Sequence, residues 1–104
     1  MEQIIDDVLY NTETDDVIAA IEKKSSNFDL YAWGEVLQRN ASGGFYLFCH
    51  GAPFSRYGKT PTSKNVFAGG GQIHPLSLED AKEWASHYLE KEEFASVFPE
   101  QLHL

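Results

Sequence analysis

The 104 residues predict an α+β fold: a three- to four-stranded antiparallel sheet with two to three helices packed on one face. Three observations point there. Residues 31–39 and 45–50 read as two strands joined by a polar turn that contains glycine. Ser77 opens an apolar stripe at helical spacing. The chain has the common length of one domain, and its 42% apolar content, with two Trp, five Tyr and seven Phe, can build a core without disulfides or metal. A single domain over residues 1–104 is expected.

The elements follow in chain order. QIIDDVLY, 3–10, forms a first strand with Ile4, Val8 and Tyr10 toward one side, or breaks into a tight turn at Asp6 and Asp7. Over 11–24, NTETDDVIAAIEKK, a short helix is expected. Thr12 or Thr14 would cap its first N–H groups, and Val17, Ile18 and Ile21 would form its buried stripe. Glu13, Asp15 and Asp16 suit the positive end of such a helix, and Lys23 and Lys24 its negative end. SSNFD, 25–29, reads as a loop.

YAWGEVLQR, 31–39, alternates, with Tyr31, Trp33, Glu35, Leu37 and Arg39 on one face and Ala32, Gly34, Val36 and Gln38 on the other. NASGG then makes a turn, and FYLFCH, 45–50, is an aromatic run suited to a central strand. Residues 51–71 hold five of the eight glycines and two of the four prolines. So long a segment without a clear element is usually functional or mobile. QIHPL, 72–76, is a short strand stopped by Pro75. Ser77, with Asp80 three residues on, opens a helix whose apolar face is Leu78, Ala81, Trp84, Ala85, Tyr88 and Leu89. A last helix, 91–98, buries Phe94, Val97 and Phe98 and ends at Pro99.

Charge is sorted along the chain. Residues 1–30 carry eight acids against Lys23 and Lys24; residues 31–75 carry Glu35 against Arg39, Arg56, Lys59 and Lys64; residues 76–104 carry seven acids against Lys82 and Lys91. The net charge of −8 argues against direct nucleic-acid binding, which needs clustered Lys and Arg. It permits an acidic surface that meets a basic one, although many acidic proteins merely stay soluble. The N-terminus lacks the basic start and apolar run of a signal peptide, no stretch is long enough to span a bilayer, and a single cysteine excludes an internal disulfide. A cytoplasmic location without membrane contact is expected.

Chemical motifs are sparse. Cys49 and His50 are neighbours on one strand, so their side chains point to opposite faces and cannot act as a pair. Cys49 shares a face with Phe45 and Leu47 and reads as a small core residue. His50, His74, His87 and His103 lack the spacing of a metal site, so neither metal nor cofactor is expected. The glycine run 69–71 precedes a strand and not a helix, so it is a turn and no phosphate cradle. Phe54, Arg56, Tyr57 and Lys59 in the long loop mix rings with cations, either as contact residues or as a solvated loop tucked onto the sheet. Asp15 and Asp16, with Glu90, Glu92 and Glu93, are either solvated faces or, if they converge, a negative patch suited to an Arg/Lys-rich protein surface.

Three phrases occur together: YNTETDDVIA, then GGFYLFCHGAPFSRYGK, then GGGQIHPLSLEDAKEWASHYL. Over residues 10–98 the chain resembles a group of small proteins of Gram-positive bacterial phages and mobile elements. Asn11 stands where that group usually has Asp, and Asp15 where it has Ala. The resemblance implies interaction work, such as regulating a mobile element or blocking a host defence in the manner of an anti-CRISPR inhibitor. The expected protein is therefore a non-catalytic acidic interaction protein. Its expected partner is a CRISPR effector or another nucleic-acid-binding protein, contacted through Asp15, Asp16, Glu90, Glu92, Glu93, Phe54, Arg56, Tyr57 and Lys59. The alternative is a ligand- or nucleotide-binding module, or small enzyme, built on His50, Arg56, Tyr57 and His74. An antitoxin-like regulator differs from the first reading only in its target.

Overall fold

The computed structural model describes residues 1–23, 31–52 and 70–99. Within 3–10 the tight turn prevails. Strands β1 (Glu2–Ile5) and β2 (Val8–Asn11) pair antiparallel, with Ile5 opposite Val8. Asp6 and Asp7 between them have φ of 50° and 66°. That left-handed pair is what a two-residue hairpin turn with the sheet's own twist requires.

The helix expected over 11–24 does not form; its place is taken by strand β3 (Asp16–Lys23), antiparallel to β4 (Trp33–Arg39). The register slips between Val17 and Ala19. This bulge explains the misleading pattern. It lets Ile18 and Ala19 both reach the core, with Ile21 following two residues on, while Val17 stays largely exposed. Apolar residues at 18, 19 and 21 mimic a helical stripe, whereas an unbroken strand would alternate. Val17, Ile18 and Ile21 are β-branched, which favours the pleated form once β4 is there to pair with.

The predicted hairpin is present as β4 and β5 (Phe45–Gly51), with Leu37 opposite Leu47. Its turn is closed by Asn40, whose side-chain Oδ1 accepts the Gly44 N–H at 2.8 Å, and by Gly43 at φ 88°. Strand β6 (Gly70–Leu76) runs through Pro75 and is not stopped by it, with Pro75 opposite Tyr46. β6 is the last strand of the order β3-β4-β5-β6, and an edge strand tolerates a missing N–H. Helices α1 (Leu78–Tyr88) and α2 (Lys91–Val97) follow. The Ser77 hydroxyl accepts the Asp80 N–H at 3.0 Å, as its capping role predicts.

Both faces of the sheet are covered. Phe45, Leu37 and Phe98 pack with Ala81, Trp84 and Ala85 of α1 on one face. Tyr46 and Ile73 pack with Tyr10 of the β1–β2 hairpin on the other, flanked by Ile5, Val8 and Phe48. This two-sided burial is why FYLFC reads as an uninterrupted apolar run. Cys49 is buried, as expected of a core thiol. Among the described residues no helix is long and apolar enough to cross a membrane. Most of the long segment 51–71, and the loop 25–29, lie outside the described residues.

Candidate interaction surface

The segment between β2 and β3 is a hydrogen-bonded junction. Asp15 Oδ2 accepts the Tyr46 hydroxyl at 2.8 Å and the Asn11 backbone N–H at 2.9 Å. Asn11 Oδ1 accepts the Glu13 N–H, and the Gln38 amide donates to the Thr12 carbonyl at 3.1 Å. Gln38 and Tyr46 are fully buried and opposite each other across β4 and β5. The junction therefore clamps the hairpin to the sheet. Burial first, then the bond and charge of Asp15, hold the Tyr46 hydroxyl well above its ordinary titration range. The YNTETD phrase is thus read by the fold, and Asp15 spends its carboxylate internally.

The other acids predicted to form a contact surface are exposed. Asp16 begins β3 opposite Arg39. Glu93 accepts the Glu90 N–H at 3.3 Å in a reciprocal box that caps α2, so both side chains are locally committed. Glu92 has no such role in the cap. Glu92 and Glu93 line a groove of about 350 Å³ together with Ile18 and Ala19 of β3 and Leu89 and Val97. From the first acidic segment this groove takes only the apolar Ile18 and Ala19; its lining acids come from the last segment alone. Glu2, Asp6 and Asp7 belong to the β1–β2 hairpin, which covers the opposite face.

Phe54, Arg56, Tyr57 and Lys59 lie outside the described residues. His50 and His74 do not converge. His50 sits beside Phe48, ring centroids 5.5 Å apart, on the hairpin face. His74 is opposite Leu47, on the helix face, with Nε2 2.9 Å from Gln72 Oε1. The two rings thus lie on opposite faces of the sheet. Among the described residues no group of His, Cys, Asp and Glu is placed to hold a metal ion.

Sequence reasoning missed a second concavity. A cleft of about 560 Å³ opens between α1 and the sheet, lined by Leu47, Leu76, Asp80, Glu83, Trp84 and Tyr88 among others. Its signal was present in the spacing: positions 80, 83, 84 and 87 share one side of a helix. Also missed was the partner of Glu35, a buried carboxylate whose Oε1 accepts the Trp84 indole N–H at 3.0 Å. That contact joins residues 49 apart, which no local pattern announces. Comparison with protein-family models, curated proteins and solved structures found no match.

Proposed function

We propose that this chain is a non-catalytic interaction protein whose helical layer and β3 edge meet a basic surface on a protein partner. The observation that supports it is the charge of that side. The stretch from Ser77 to Pro99 carries Glu79, Asp80, Glu83, Glu90, Glu92 and Glu93, all exposed, against Lys82 and Lys91. The groove at the β3–α2 seam adds apolar ground between those acids, through Ile18, Leu89 and Val97. Charge at a rim steers and selects a partner, while apolar ground supplies the buried area.

A protein surface built to hold nucleic acid is the basic partner such a face fits best, because its Lys and Arg are already arrayed for anions. The resemblance to phage and mobile-element proteins suggests the instance: a host defence effector, with CRISPR effectors as the leading class. The hairpin acids on the far face keep the protein soluble and take no part.

The test is capture of the partner from host lysate with the full chain and with Asp16→Lys combined with Glu92→Lys. Both positions are exposed, and neither side chain belongs to the Asp15 junction or to the α2 cap. The wild type is expected to retain a partner that nucleic acid displaces, with retention falling steeply as salt rises. The double variant should lose it. Undiminished capture by the double variant overturns the reading.

A further inference from the structure

The α1 cleft has the lining of a receptor for a guanidinium group. Its inner wall is Leu47 and Leu76 from the sheet and Trp84 and Tyr88 from the helix. Trp84 and Tyr88 have ring centroids 5.3 Å apart at 50°, and His87 meets Tyr88 edge-on at 4.7 Å. Asp80 and Glu83, both exposed, stand on the lining one helical turn apart, and among the described residues no Lys or Arg lines the cleft. The volume, about 560 Å³, lies within the roughly 300–1,000 Å³ usual for ligand clefts.

Two features make this more than a solvated helix face. The Trp84 ring is fixed before any ligand arrives, because its N–H is tied to the buried Glu35 carboxylate at 3.0 Å. The aromatic and carboxylate groups also face one concavity, where the cost of ordering a long side chain is offset by burial of its stem. An anion is repelled by Asp80 and Glu83, and a purely apolar ligand would leave them without a task. A planar cation on an apolar stem satisfies both parts: the stem lies along the apolar wall, and the guanidinium pairs with carboxylates in a fork geometry that an ammonium lacks.

We propose that this cleft accepts an arginine side chain of the partner, its stem along Leu76 and Trp84 and its guanidinium between Asp80 and Glu83. This deepens the reading above by naming one anchor, and it rests on different residues from the β3–α2 groove.

The probe is the blocked peptide acetyl-Gly-Arg-Gly-amide, titrated into the full ¹⁵N-labelled chain, with lysine and citrulline peptides alongside. The arginine peptide should move the Trp84 indole signal and the amides of Leu47, His87 and Tyr88, more tightly than lysine, with citrulline silent. Asp80→Asn with Glu83→Gln should weaken it about tenfold, the loss of two charge-assisted contacts. Asp6→Asn, in the β1–β2 turn on the opposite side, should leave it unchanged. Equal, diffuse shifts with arginine and lysine, no shift at the cleft, or indifference to the Asp80 and Glu83 changes would each overturn the proposal. Loss of partner capture in the Asp16 and Glu92 variant does not bear on the peptide result, so the two readings can fail separately.

Discussion

Tyr46 shows how one side chain can hold two layers together. Its ring packs against Tyr10, centroids 4.9 Å apart, while its hydroxyl donates to Asp15. Tyr46→Phe should cost about 1.5–3 kcal/mol in chemical denaturation, the range for a hydrogen bond to a charged group. A pH effect follows from the raised folded-state titration of this hydroxyl. The unfolded chain releases the proton from about pH 10 upward while the folded chain keeps it, so stability is full below that and declines above it. The decline should be shallower in Tyr46→Phe; parallel curves would show that the junction does not hold the proton. Gly34 gives a second test. A Cβ there would lie 2.6 Å from the His50 ring across the β4–β5 pair. Gly34→Ala should destabilise by about 1–3 kcal/mol, as overpacking does, and most of that loss should vanish when His50→Ala is added. Additive effects would show that the ring moves aside freely.

Elements differ in how well local chemistry announced them. The β4–β5 hairpin and α1 were legible because alternation, a glycine turn and a serine cap all agree with the final fold. β3 was not, because a bulge shifted its alternation and tertiary pairing chose between two local readings. The β1–β2 turn was legible only as an alternative, since Asp6 and Asp7 fill left-handed positions that Gly or Asn hold more readily. Asp7→Gly should therefore raise hairpin stability by about 1 kcal/mol, seen as a higher Tm for the whole domain. An unchanged or lower Tm would mean that the aspartate makes a compensating contact. Of the candidate site, the helix and β3 acids were legible as residue types, but not that Asp15, Glu90 and Glu93 are committed to local bonds.

At the scale of the molecule, whose net charge is −8, exposed acids sit on both outer layers, the helices on one face and the hairpin on the other. Self-repulsion of this kind weakens with screening, whose length is about 10 Å at 0.1 M salt. Raising sodium chloride from low to physiological strength should thus increase Tm, and the gain should shrink in the Asp16→Lys, Glu92→Lys variant. A Tm independent of salt would mean that the acids are too dispersed to act on one another, and with that the acidic interaction face would lose its basis.

The amino-acid order alone determined the fold class, the β4–β5 hairpin, the capped helix α1 and the segregation of charge, because each rests on neighbours within a turn or two. Only the tertiary structure decided that 16–23 is a strand, that YNTETD clamps two layers, and that Glu35 meets Trp84. Those outcomes depend on which distant surfaces come to lie together. Burial in two opposed cores supplies that choice, and no local propensity encodes it.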